Sequence, residues 1–331
     1  MSPSPNQSLH RLSVENSWFA THPILWTSQH LNLLGVPFQH FEGPLHAPQP
    51  CGDDVKDLDA IEVVYHVTRL ATVSSTVMKL KSALYLLCAP GSPLGRKPQV
   101  DSCSLWPASK ANLVSLDRYA AKFFYARRPV HETLCHVLHV AKPTPKKQPP
   151  VIGYAYYKAI NRERQRRFTP RLHPKSDINR PVERLCRLYL RKVTPDNWSD
   201  DPYIVCLLLA LAQAQSIKQR EEKPETFPVR LLLAVGGDKN FAHVFQADVD
   251  AHILKALDEP TLDLNGVAWP RITHTKVALQ PYLTFPGRIV AELLGSYMEE
   301  KTVDGTLTTQ AEKRKYEDDA EAPMKRVKTT L

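Results

Sequence analysis

The longest unbroken apolar stretch runs from Ile204 to Ala212, directly behind Asp201 and Pro202. An aspartate before a first-turn proline is helix-start chemistry, and a helix that is apolar on every side is a buried one. The pattern predicts a helix over 204–215. Polar groups at Ser199-Asp200-Asp201 and from Gln213 to Lys218 bracket it, so it is too short to cross a bilayer. Two strands rich in valine and leucine follow, at 229–235 and 241–247, joined by Gly236-Gly237-Asp238-Lys239-Asn240, which is hairpin-loop chemistry. Residues 231–235 are continuously apolar, which predicts a central strand covered on both faces, with the 204–215 helix on one of them. A short acid-capped helix at 249–257 completes the unit.

Around this unit the pattern is more broken. Residues 60–70 are β-branched and strand-like. Residues 74–88 have helical spacing, with Val77, Leu80, Leu84 and Leu87 on one face and Lys79 and Lys81 off it. Residues 112–128 read as a helix with Leu113, Leu116, Ala120 and Phe123 or Phe124 inward, ended by Pro129. Residues 133–140 are a short strand or helix, and 151–160 a strand carrying Tyr154, Tyr156 and Tyr157. A late strand at 273–279 and a helix near 286–298 follow. Residues 1–15 read as a flexible arm, and 16–60 as an irregular segment anchored by Trp18, Phe19 and Trp26. Residues 142–150 form a proline-rich linker. The apolar-poor, charged stretch 301–331 reads as a disordered tail. The expected fold is α/β or α+β: one globular domain over 16–300, with a sub-boundary at 142–150, whose mixed sheet contains the 229–247 hairpin and is packed by helices.

Composition narrows the function. At 331 residues the chain can bury a sizeable core. Twelve glycines against 28 prolines speak against a glycine-rich nucleotide-binding fold. No phosphate loop, dinucleotide fingerprint or Gly-x-Ser-x-Gly is present. The formal charge of +9 favours polyanionic partners. Six cysteines without a Cys-x-x-Cys pair, and a polar N-terminus unlike a signal peptide, predict a reducing intracellular compartment.

The charge is concentrated. Residues 158–192 hold twelve Lys/Arg against three Asp/Glu. From Pro181 to Val193 an amphipathic helix is expected, with Val182, Leu185, Tyr189 and Val193 inward. Arg180, Arg184, Arg187 and Arg191 share its other face, and upstream Arg164, Arg166 and Arg167 crowd around Phe168. Arginines along one helix face can meet successive phosphates, and neighbouring aromatic rings can stack on bases. In the tail, Lys313-Arg314-Lys315 and Lys325-Arg326-Val327-Lys328 form two basic clusters on a polar spacer, the pattern read by importin grooves. A solvated charge run is the plain alternative for both.

Two chemical constellations stand in the sequence. His131, Cys135 and His139 fall on one face of either a helix or a strand and are weak zinc candidates, without a second ligand pair. Glu221-Glu222-Lys223 has the spelling of a metal-dependent nuclease motif but precedes Pro224 at a helix end, and Asp248 and Asp250 lack a following lysine. Neither supports a cofactor, and the balance leans away from an enzyme.

Asp200-Asp-Pro-Tyr-Ile through Gln215, Val229 to Val235, the strand at 242–249 and Lys255-Ala-Leu-Asp-Glu-Pro260 together resemble a group of uncharacterised proteins of filamentous fungi over residues 198–295. In that group the second strand usually carries a tyrosine-threonine pair, whereas this chain reads His243-Val-Phe-Gln-Ala-Asp. The resemblance implies an intracellular fungal protein and carries no activity or site residues. The sequence therefore predicts a nuclear binding or regulatory protein, with importin and either nucleic acid or an acidic protein as partners and no membrane. An accessory or secondary-metabolite pathway enzyme and a divergent nuclease-like domain are the alternatives.

Overall fold

The computed structural model describes residues 7–47, 60–87, 120–140, 148–170, 179–218, 224–264, 266–295 and 297. Seven strands form one mixed sheet: β1 (Phe38–Phe41), β2 (Ala120–Tyr125), β3 (Arg128–Leu138), β4 (Val151–Tyr156), β5 (Thr226–Ala234), β6 (Phe241–Asp250) and β7 (Ile272–Ala278). Their spatial order is β1-β7-β6-β5-β4-β3-β2. The β1–β7 and β4–β5 pairs are parallel and the rest antiparallel. β3 and β4 lie on either side of 142–150 and pair directly, so one sheet takes strands from both sides of it.

The helices are α1 (Leu9–Glu15), α2 (Ser28–Leu34), α3 (Ala60–Thr72), α4 (Thr76–Leu87), α5 (Tyr157–Arg167), α6 (Arg180–Val193), α7 (Pro202–Lys218) and α8 (Ala251–Asp258). A last helix, α9, occupies 285–295. α7 is the predicted buried helix. Its inner side lies on β2 to β5, and the N-terminal segment around α2 and Pro23–Leu25 covers its outer side, so from Pro202 to Gln213 it has no solvent face, and only its last turn reaches water. On the opposite face of the sheet, residues of α3, α4 and α9 build a second apolar cluster with Tyr154, Leu232, Val244 and Val277. β5 is thus central and covered on both faces, as its continuous apolar run requires. β4 is buried throughout. A Cβ on its Gly153 would lie 2.6 Å from Cys135 Sγ and 2.7 Å from Leu211 Cδ1, so only glycine lets α7 approach this closely.

Several expectations are corrected. Residues 60–70 are helical, not extended: Val63, His66, Val67, Leu70 and Ala71 fall on one buried helix face, and that burial outweighs β-branched propensity. Residues 120–125 are strand β2, not the end of a helix, and Pro129 lies within β3. The turn between them is Ala126-Arg127, both at positive φ (50° and 62°). It is held by Ala126 N–H donating to Leu257 O and by an Arg127–Glu259 ion pair. The 151–160 segment is strand only to Tyr156, after which α5 starts. Residues 9–15 of the expected arm fold as α1, with Leu9 and Leu12 buried and Ser8 accepting from Arg11 N–H, and residues 1–6 lie outside the described residues. Lys79, expected on the outer face of α4, is buried: its ammonium donates to Leu70 O, satisfying a carbonyl near the end of α3, and sits over the Tyr156 ring. Burial pushes its pKa down.

Candidate functional site

The basic surface is built by α5 and α6. Asn179 caps α6 by accepting from Val182 N–H (3.3 Å); Pro181 lies in the first turn, Glu183 beside it, and Arg191 and Lys192 in the last turn. That charge order suits the helix dipole. Arg180, Arg184, Arg187 and Arg191 are exposed along one face. Arg187 pairs with Glu183 (2.9 Å), the helix's single carboxylate. The inward face is narrower than expected: Val193 is buried, whereas Leu185 and Tyr189 are half exposed and Leu188 is 64% exposed. Tyr189 stacks on Phe168 at the end of α5, with ring centroids 6.2 Å apart. α6 therefore stands against the body on a slender contact and presents a row of cations beside an apolar strip.

In α5 the arginines divide. Arg166 and Arg167 are exposed and share Glu163 (3.0 and 3.5 Å), and Arg167 also donates to His22 Nε2 (3.0 Å). Arg164 does the opposite of what its neighbours do. It falls on the same helix stripe as Tyr157 and Ile160 and is fully enclosed, forming a two-pronged pair with Asp201 at 2.6 and 2.6 Å. Its Nε donates to Ile24 O (3.1 Å). Asp201 also accepts from Tyr157 Oη–H (2.9 Å) and Tyr203 N–H (2.9 Å). Burial alone would push the Arg164 pKa down, but the Asp201 carboxylate outweighs it and the net shift is upward. Arg164 thus joins α5, the start of α7 and the N-terminal segment and is not part of the solvent-facing basic surface.

A second polar cluster crosses the β1 edge of the sheet. His40 on β1 pairs in register with His274 on β7, and His243 lies on β6. Their rings make a continuous chain. Asp200 Oδ1 lies 2.7 Å from His40 Nε2, His40 Nδ1 lies 2.8 Å from His274 Nδ1, His274 Nε2 lies 3.0 Å from His243 Nδ1, and His243 Nε2 lies 3.0 Å from Asp238 Oδ2. Phe245 stacks on His274 at 4.4 Å, and Trp198 packs edge-on over His243 at 4.6 Å. His243 and His274 are buried, while His40 and Asp200 reach solvent. Burial, then the neighbouring His243, His40 and Lys276, push His274 down to about 3; burial likewise lowers His243. Asp238 is held low, its burial outweighed by Asn240 N–H, Phe241 N–H and His243. No local pattern in the sequence announces this chain, because its three histidines lie on three separate strands.

The zinc candidates do not converge. His131 and Cys135 lie on β3, and His139 follows it. His131 Nε2 is 2.6 Å from Tyr203 Oη, Cys135 is buried with its thiol pushed up to about 12, and His139 contacts Lys218. Burial, then His22 and Arg167, push His131 down to about 4. No group of metal-ligating side chains is found among the described residues. Asp248 pairs with Arg230 (3.1 Å) and Asp250 caps α8, while Glu221, Glu222 and Lys223 lie outside the described residues. So do Lys313, Arg314, Lys315, Lys325, Arg326 and Lys328.

One cavity was invisible in the sequence. It has a volume of 330 Å³ and lies between the N-terminal segment and the β2–β3 hairpin, α7 and α8, walled chiefly by Phe19, Trp26, Phe123, Leu209, Leu257 and Trp269. Among the described residues no Asp, Glu, Lys or Arg lines it; the titratable groups there are Tyr125, whose pKa burial raises, and His22, whose pKa burial and then Arg167 lower. No described helix is long and apolar enough to cross a membrane. No family model matches the chain, and none of the curated proteins matches it.

Proposed function

We propose that this chain is a nuclear binding protein that grips a nucleic acid through the basic face of α6. The observation that carries the reading is α6 itself: four exposed arginines in register on a helix with one carboxylate and little of its surface buried. Arg166, Arg167 and the Phe168–Tyr189 stack extend the surface at one side. Phosphate contacts by arginine are sequence-independent and release counterions, so binding must weaken steeply with salt. The test is binding of the full chain to fluorescent DNA and RNA at about 50 and 200 mM salt, beside a variant with Arg180, Arg184, Arg187 and Arg191 changed to alanine. The expected result on duplex DNA is a log–log salt slope reduced by about 3.6 in the variant, since each of the four phosphate contacts contributes roughly 0.9. Absence of binding at the lower salt, or an unchanged slope, refutes it; binding of an acidic protein instead would redirect the same surface. The nuclear assignment rests on the two basic clusters of the tail. A fluorescent fusion should lose nuclear accumulation when Lys313, Arg314, Lys315, Lys325, Arg326 and Lys328 become alanine.

The cavity favours a second reading, in which the chain holds a small uncharged apolar molecule, as an accessory or secondary-metabolite pathway enzyme would. Its size is at the lower end of ligand pockets, and its wall offers aromatic faces without an ionised group. The neutral fluorophore N-phenyl-1-naphthylamine should bind once per chain, and Val130→Trp at the half-exposed rim should weaken it at least tenfold, about 1.4 kcal/mol. Equal binding to both proteins would place the fluorophore elsewhere and sink this reading.

A further inference from the structure

The aromatic walls of the cavity are fixed from behind. Phe19 and Trp26 each stack on the buried ring of His30, with centroids 5.8 and 5.9 Å away. His30 is itself pinned, its Nδ1 accepting from Thr27 N–H (3.0 Å). Trp26 meets Phe123 edge-on at 5.7 Å, so the two rings form a corner. Such a corner suits an aromatic guest, which can stack on one ring and set its edge against the other. Rings already held in place cost little ordering when the guest enters.

The polar side chains of the wall divide into those with a protein partner and those without. Trp26 Nε1–H donates to Thr21 O (3.3 Å). His22 faces protein at both ring nitrogens, with Nδ1 3.3 Å from Ile24 N and Nε2 3.0 Å from Arg167 Nη2. Among the described residues, nothing hydrogen-bonds the Tyr125 hydroxyl, the Trp269 indole N–H or the Thr21 hydroxyl. Tyr125 lies two residues beyond Phe123 on β2, on the same face of the strand, and both line the cavity. Trp269 is buried. Enclosed tyrosine hydroxyls and indole N–H groups ordinarily find a partner. An indole N–H only donates, and burial keeps the Tyr125 phenol protonated. The wall therefore has hydrogens to give to an oxygen, and no ionised group of its own to hold a charge.

We propose that the cavity is a binding site for a neutral aromatic ketone of naphthalene size, with its rings in the Trp26–Phe123 corner and its carbonyl oxygen accepting from Tyr125 Oη–H. A carbonyl oxygen only accepts, and it has two lone pairs, so it can also take the second hydrogen that Trp269 offers. A carboxylic acid of the same shape is disfavoured, because its ionised form would lose water without gaining a cation. This choice of ligand presupposes the reading of the cavity as a site for an uncharged molecule and adds the group that the site selects.

The test is competition against N-phenyl-1-naphthylamine on the full chain, with 2-acetylnaphthalene and 2-isopropenylnaphthalene as competitors. They have the same planar shape and differ only in a carbonyl oxygen against a methylene. Tyr125→Phe removes the hydroxyl and keeps the ring. It should weaken the ketone by about threefold to tenfold, the worth of one hydrogen bond, and leave the hydrocarbon unchanged. Unchanged hydrocarbon affinity also shows that the variant keeps its fold. If Tyr125→Phe leaves the ketone unchanged, or weakens both competitors equally, the proposal is overturned while the cavity remains a site for apolar molecules. If wild type and Val130→Trp bind the fluorophore equally, the cavity reading falls and the ketone site falls with it.

Discussion

Arg164→Met separates the buried arginine from its exposed neighbours. The substitution keeps the length of the side chain and removes its charge. It leaves Asp201 fully enclosed with Tyr157 Oη–H and Tyr203 N–H but without the two guanidinium contacts of 2.6 Å, and it leaves Ile24 O without its donor. Removing one partner of a buried pair strands the other charge, which costs about 3–5 kcal/mol. For a domain of this size that corresponds to a fall in Tm of about 6–20 °C. Arg184→Ala on exposed α6 should stay within about 0.5 kcal/mol of wild type. Adding Asp201→Leu to Arg164→Met should recover much of the loss, because apolar replacement of a whole buried pair is often neutral or better. Urea unfolding of the four proteins at one pH measures all of this. If Arg164→Met costs under about 1 kcal/mol, or the double variant is no better than the single, the pair is not the desolvated knot described above.

Further outcomes follow from other parts of the molecule. Gly153→Ala should cost about 1–3 kcal/mol, since its methyl would collide with Cys135 Sγ and Leu211 Cδ1, measured by chemical unfolding. Ala126→Gly should stabilise by about 1 kcal/mol, because glycine meets no penalty at the positive φ of that turn; a loss would show that the alanine methyl packs usefully. His131 is lowered to about 4 from 6.5, so folding keeps it neutral while the unfolded chain protonates. Its contribution is therefore present above pH 6.5 and lost as pH falls towards 4, amounting to about 1–2 kcal/mol at pH 5. His131→Gln should flatten the urea midpoint between pH 7 and 5 by that amount. Native-state alkylation should label Cys186 before the buried Cys135 and Cys206, whose thiols burial holds protonated, as peptide mass spectrometry can read.

The parts legible in the sequence were those whose local signal and tertiary setting agree. α7 is apolar on all sides and is buried on all sides, and Gly236-Gly237-Asp238 turns the β5–β6 hairpin where turn chemistry places it. Where the two disagree, the reading failed for a physical reason. The β2–β3 turn is Ala-Arg, with no asparagine or glycine to announce it, and its energy comes from Leu257 and Glu259 far along the chain. Arg164 looks like its neighbours in composition and differs only in facing Asp201, a partner 37 residues away. The histidine chain needs three strands in register, and the cavity needs four separate elements; neither has a local spelling.

The pairing of β1 with β7 also sets a timetable for synthesis. His40 and His274 are 234 residues apart, yet they touch. At about 5–20 residues per second, His40 leaves the ribosome on the order of tens of seconds before its partner exists. During that interval α7, β4, β5 and β6 can assemble from neighbouring sequence, while β1 has no strand to join. The sheet edge and the histidine contacts across it are therefore among the last parts of the molecule to form, and a nascent chain halted before β7 would carry β6 as an unpaired edge.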